Sequence, residues 1–117
     1  MARVKKTSMT PGEEREYKRL MKIYRSLPAN KLAVAEGLIR QAARLRDRLD
    51  MLWLDLQENG ETEMFSQSPN TEPYERERPS SRTFTATDKS YQAIIKQLND
   101  LCPESEAKDA LADFLNG

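Results

Sequence analysis

The sequence predicts an all-α fold in which a long central helix packs with shorter helices as a helical hairpin or bundle. Three observations support this. Small and branched apolar residues recur at alternating spacings of three and four through the middle of the chain. A helix start signal stands at Thr10, and prolines at 28 and 103 follow helical patterns. A chain of 117 residues has enough apolar surface for one compact core.

The first helix is predicted to begin at Thr10. Its hydroxyl can cap the first turn, Pro11 suits a position that needs no N–H, and Glu13 completes a capping box. Pro28 disfavours the helical conformation of the residue before it, so we expect the helix to end there. Apolar side chains share one face of this helix: Tyr17, Leu20, Met21, Tyr24 and Leu27.

The second helix is predicted from about Asn30 to Glu58, closed by Asn59-Gly60. Along one face of this helix, apolar residues recur at alternating spacings of three and four, and we call this row the heptad seam. Such a seam is typical of helices that pack side by side, either within one subunit or between subunits of a ring-type oligomer. We expect oligomerisation to use the larger residues of this seam, with Trp53 beside them: Leu38, Leu45, Leu49, Leu52 and Leu56.

The whole chain divides into three predicted parts. Residues 1–9 are expected to form a flexible basic arm, and residues 10–103 the helical core and oligomerisation domain. Within that domain, residues 61–86 lack a sustained period and contain three prolines, which indicates a long, extended polar loop. A third helix is predicted from Thr87-Asp88 to Pro103. Residues 104–117 form an acidic C-terminal segment whose apolar stripe includes Leu111, Phe114 and Leu115.

The chemical inventory points away from catalysis. The chain has no histidine, one cysteine and no Gly-rich phosphate loop, so neither an enzyme nor a metal or cofactor site is predicted. No apolar stretch approaches the roughly 20 residues that span a bilayer. Cys102 cannot form an internal disulfide, which is typical of a reducing, intracellular compartment.

A net charge of zero conceals opposite charges in the two halves of the chain. Residues 1–48 hold 13 Lys+Arg against 5 Asp+Glu, and residues 49–117 hold 6 against 14. A basic half can bind a polyanion and an acidic half can bind protein, although the halves can also attract each other within or between subunits. The cations expected to meet DNA phosphates lie on the arm and on two helix faces: Arg3, Lys5, Lys6, Arg15, Lys18, Arg19, Lys22, Arg25, Arg40, Arg44 and Arg48.

The order of segments resembles the small terminase subunits of tailed phages of Gram-positive bacteria. The resembling stretches span about residues 24–104: a long helix ending in ENG, a polar strap with PYERERP, and SYQAIIKQLNDL ending at a proline. The resemblance implies a ring-forming subunit that recognises double-stranded viral DNA for packaging and recruits and regulates the large terminase, the ATPase and nuclease. It also implies a location in the host cell cytoplasm rather than in the mature virion.

Two other functions agree with the same residues. The chain can be a helical DNA-binding regulator that acts as a dimer, or a structural helical adaptor whose basic face contacts only neighbouring subunits. The C-terminal segment likewise has two interpretations. It can dock on the large terminase through Leu111, Phe114 and Leu115, or it can fold back on its own domain.

Overall fold

The computed structural model describes residues 8–102 and residue 115. Three helices and one two-stranded antiparallel sheet follow each other in the order α1 (Pro11–Tyr24), α2 (Ala29–Asn59), β1 (Thr62–Phe65), β2 (Tyr74–Glu77) and α3 (Pro79–Asp100). The chain is therefore mostly helical, as predicted, but it is not purely α.

Helix α1 has the predicted start. Thr10 is its N-cap, and the threonine hydroxyl accepts a hydrogen bond from the backbone N–H of Glu13 at 3.1 Å. The same hydroxyl donates to Asp47 Oδ2 at 2.9 Å, which fixes the start of α1 against the middle of α2. Because only four residues connect α1 to α2, the two helices run antiparallel.

Helices α1 and α3 both pack on α2 and run parallel to each other. Tyr91 of α3 donates a hydrogen bond to Glu16 of α1 at 2.6 Å, and Tyr24 of α1 donates to Asn99 of α3 at 2.7 Å. The core between the three helices is apolar, and its buried members are Leu20, Tyr24, Leu27, Ala35, Ile39, Ala42, Leu49, Tyr91, Ile94, Ile95 and Leu98.

The last three turns of α2 extend past the start of α1, and Trp53 there contacts Phe84 of α3. Arg78, just before α3, bridges to Asp55 at 3.1 Å and donates to the carbonyl of Gly60 at 2.8 Å. These contacts hold the base of the hairpin β1–β2 against the end of α2. Gly60 has φ +83°, a conformation that favours glycine, and its N–H caps the carbonyl of Leu56.

The predicted loop over residues 61–86 is wrong, because more than half of it belongs to β1, β2 and the start of α3. Cross-strand contacts hold the hairpin: the guanidinium of Arg76 lies 3.6 Å from the Phe65 ring centroid and 2.7 Å from Glu63. Pro79 does not mark a loop. It occupies the start of α3, eight residues before the predicted start at Thr87, because proline is favoured in the first turn of a helix.

None of the helices in the described part of the chain combines the length and the apolar character that crossing a bilayer requires.

Candidate nucleic-acid interface

Cations from α1 and α2 meet on one exposed face, which we call the basic face. Lys18, Lys22 and Arg25 line an open cleft on α1 together with Tyr17 and Met21. From α2, the guanidinium of Arg40 lies over the Tyr17 ring, 5.4 Å from its centroid. Tyr17 therefore lies between the cations of α1 and those of α2.

The basic face continues along α2 toward the hairpin end of the molecule. Arg44 Nε lies 3.6 Å from Glu13 Oε2 of α1. A second open groove is lined by Arg44, Arg48, Met51 and Leu52, together with Ser80 and the carboxylates of Asp47 and Asp55. Arg25 lies beside the first turns of α2, because α1 runs antiparallel to it. From there to Arg48 the face spans about 25 Å at a rise of 1.5 Å per residue.

Neighbouring carboxylates neutralise three of these cations. Lys18 bridges to Glu14 at 3.2 Å, Arg40 to Glu36 at 2.8 Å, and Arg44 is held by Glu13. Hydrogen bonds from Tyr17 and Arg40 lower the pKa of Glu36, so this carboxylate is charged at neutral pH. The middle of the basic face is therefore close to neutral.

Four of the cations predicted to bind DNA are exposed and have no ion pair among residues 8–102: Arg15, Lys22, Arg25 and Arg48. Lys22 and Arg25 lie at one end of the basic face and Arg48 at the other. An approaching phosphate meets these groups without first displacing a carboxylate. These free cations, rather than all of the predicted ones, give the face its positive potential.

Arg19 lies off the basic face, contrary to its predicted position. Its guanidinium donates two hydrogen bonds, 3.0 and 2.9 Å long, to the carboxylate of Glu16, which is only 6% exposed. Glu16 also accepts from Tyr91, and burial together with this bond raises the pKa of the Tyr91 hydroxyl. Arg19 therefore stabilises the α1–α3 contact, because its charge balances a buried carboxylate.

Several predicted residues fall outside the described chain. These are the arm cations Arg3, Lys5 and Lys6 and the docking residues Leu111 and Phe114. Leu115 is described and is 72% exposed.

Most of the predicted oligomerisation seam packs inside the subunit. Leu49 is fully buried, Leu56 is 6% exposed, and Leu38 and Leu45 pack against the core. Leu52 is half-buried and lines the groove beside Arg48. Helices α1 and α3 cover the seam, so the heptad spacing of these residues results from packing within the subunit.

The large apolar side chains that stay exposed in the described part of the chain lie mainly beyond the start of α1, at the hairpin end. On α2, Met51 and Leu54 are 64% and 58% exposed, and Trp53 contacts Phe84 while remaining half-exposed. Met64 and Tyr74 extend this region onto the hairpin. Met51 and Leu54 lie off the heptad seam of α2, so they are apolar residues beyond those that the seam contains. This excess is the signal in the sequence that could have indicated an exposed apolar region.

Charge divides the molecule along its length. Residues 49–88, which form the hairpin end, hold 3 Lys+Arg against 9 Asp+Glu. Residues 8–48 and 89–102, which form the three-helix end, hold 12 against 6. The basic face thus belongs to the positive end of an electrically polarised molecule.

No group of carboxylates and cysteine within the described residues is arranged to hold a metal ion. Comparisons with protein-family models, curated proteins and solved structures found no match to this chain.

Proposed function

We propose that this chain is a phage terminase small subunit, which binds double-stranded viral DNA, assembles into a ring-type homo-oligomer and recruits and regulates the large terminase. The observation that carries the proposal is the basic face, where cations of two helices converge on one exposed surface about 25 Å long. The resemblance in segment order supports the same function.

The basic face suits a duplex backbone better than a single strand. Its length is about two-thirds of a helical turn of DNA, which rises roughly 34–36 Å per turn. Tyr17, the aromatic residue at its centre, is engaged with Glu36 and Arg40 and does not offer a free ring for base stacking. Binding of this kind depends on phosphate contacts and is therefore independent of sequence at the basic face.

Assembly is assigned to the exposed apolar residues of the hairpin end. A surface that includes Met51, Leu54 and Met64 is costly to leave in water and is typical of a protein interface. An interface that joins two different surfaces of neighbouring copies forms a ring when the rotation between copies closes, and a ring is the assembly that the proposed function requires.

The DNA part is tested by the salt dependence of duplex binding. Replacing Lys22, Arg25 and Arg48 with Gln should weaken binding to all sequences. The slope of log K against log salt should fall by about 0.9 for each phosphate that the protein no longer neutralises, up to about 2.7. A control for net charge replaces Arg82, Lys89 and Lys96 of α3, which removes the same charge from another helix, although Arg82 and Lys96 are paired with Glu77 and Asp100. An equal weakening in the two variants would assign binding to overall charge and overturn the basic face.

The assembly part is tested by the mass of the protein in solution. A ring of many subunits is expected, and Met51→Ser with Leu54→Ser should dissociate it without unfolding, because both side chains are exposed in the subunit. A dimer that binds DNA would favour the regulator instead. A protein without duplex affinity at low salt would favour the structural adaptor.

A further inference from the structure

We infer that the acidic C-terminal segment, residues 103–117, docks onto the α1 cleft of its own chain and competes there with DNA. The α1 cleft is the part of the basic face lined by Tyr17, Lys18, Met21, Lys22 and Arg25. The competition rests on the proposed function, whereas the docking can be tested without DNA.

The segment starts at the end of the molecule where α1, and with it the α1 cleft, ends. Tyr24 donates a hydrogen bond to Asn99 at 2.7 Å, so the end of α3 lies against the last turn of α1. Cys102 follows directly and packs against the same core. Residues 103–117 therefore leave the helical body at the end that carries Lys22 and Arg25.

The charges of the segment and the α1 cleft are complementary. The segment contains one lysine, Lys108, and four carboxylates: Glu104, Glu106, Asp109 and Asp113. The α1 cleft presents three cations, of which Lys22 and Arg25 have no ion pair among residues 8–102. A docked segment would supply carboxylates to these two groups, so both charges would be balanced.

The apolar residues of the two elements also match. Ala107, Ala110, Leu111 and Phe114 recur at helical spacing and form one stripe. The α1 cleft offers Tyr17 and Met21, which are one turn apart and half-buried. Leu115 is 72% exposed and is not part of this contact.

The segment is long enough to reach the whole cleft. As a helix, its 15 residues extend about 22 Å, whereas α1 advances about 12 Å between Tyr17 and Arg25. The apolar stripe begins at Ala107, so residues 103–106 remain for the turn after Cys102. A short amphipathic segment is marginal alone, so an apolar partner surface with opposite charge would stabilise it.

Docking would make the segment an internal competitor of DNA. Phosphates and carboxylates would compete for Lys22 and Arg25, and duplex DNA would bind only the fraction of molecules with a free cleft. The apparent affinity then falls in proportion to that fraction. The same competition would release the segment, with Leu111 and Phe114, when DNA binds.

Docking is tested in the full chain by disulfide formation in a Cys102→Ser background. Met21→Cys paired with Phe114→Cys should cross-link rapidly within one chain, and high salt should slow the reaction because the contact is charged. The matched control pairs Phe114→Cys with Gln57→Cys, which is exposed in the last turn of α2 and lies outside the surface assigned to assembly. Equal rates for both pairs, or cross-links only between chains, would overturn the inference.

Competition is tested with duplex DNA. Exchanging Glu104, Glu106, Asp109 and Asp113 for their amides should tighten binding about tenfold at low salt, if one molecule in ten has a free cleft. The control exchanges four carboxylates of the hairpin end, Glu58, Glu61, Glu72 and Glu75, for Gln, which makes the same change in net charge. Equal tightening in the control would assign the effect to net charge and overturn the competition.

The two experiments separate the two proposals. Selective cross-linking without duplex binding by either the wild-type chain or the variant with the four amides supports docking and refutes the proposed DNA function. Duplex binding without selective cross-linking leaves the DNA function in place and refutes docking.

Discussion

Replacing Tyr91 with Phe tests how α1 is held to α3. The Tyr91 hydroxyl donates a 2.6 Å hydrogen bond to Glu16, a buried carboxylate that Arg19 also binds through two hydrogen bonds. Phenylalanine keeps the ring and its packing, so the substitution removes a hydrogen bond and creates no cavity. Glu16 keeps its charge balance through Arg19, but one of its oxygens loses a buried donor.

The expected cost follows from the charge on the acceptor. A hydrogen bond to a charged group contributes about 1.5–3 kcal/mol, against about 1 kcal/mol for a bond between neutral groups. Tyr91→Phe should therefore lower the free energy of unfolding by about 2 kcal/mol. For a domain of this size, that corresponds to a fall in Tm of about 10 °C.

Urea denaturation followed by circular dichroism measures this difference. Tyr24→Phe is the matched control, because its hydroxyl donates to the neutral amide oxygen of Asn99 and should cost about 1 kcal/mol. A double-mutant cycle with Glu16→Gln isolates the pair itself. A Tyr91→Phe variant within about 0.5 kcal/mol of wild type, or equal to Tyr24→Phe, would refute the role of the charged bond.

Three further predictions concern packing, pH and DNA. Leu49→Ala empties a fully buried position and should cost about 2–5 kcal/mol in urea denaturation; a change below about 1 kcal/mol would contradict the internal seam. Burial raises the pKa of Tyr24 to about 12, above the unfolded value of about 10. The contribution of Tyr24 is therefore complete below about pH 10, and it should be lost between about pH 10 and 12, which lowers stability by on the order of 2 kcal/mol. Tyr24→Phe should remove this part of the fall and leave the part due to Tyr91, whose pKa is also raised by burial. An unchanged pH profile would exclude Tyr24 as a source of the fall. Glu36→Gln frees Arg40, so duplex DNA should bind more tightly and with a steeper salt dependence in a fluorescence anisotropy titration; weaker binding would show that Glu36 positions Arg40 for the phosphate.

The sequence predicted the helices where local signals define them. The Thr10 cap and the apolar face ending at Leu27 correctly located α1, and the long period of three and four correctly located α2. These signals depend on residues three or four apart, which interact inside any helix. The hairpin was missed because each strand has only four residues and neither shows a clean alternation of apolar and polar residues. The start of α3 was missed because a proline followed by serines is compatible with both a loop and a helix start.

For the candidate interface, the sequence by itself determined which residues carry charge and that the basic ones are concentrated in the first half. Only the tertiary structure decided which cations are free. Arg44 meets Glu13 and Tyr17 meets Glu36 because α1 folds back antiparallel on α2, and these partners lie 31 and 19 residues apart. In the same way, the heptad period showed that Leu49 needs an apolar partner, but the position of α3 decided that the partner belongs to the same subunit. Periodicity describes one face of one helix, whereas charge pairing and burial depend on what the rest of the chain places against that face.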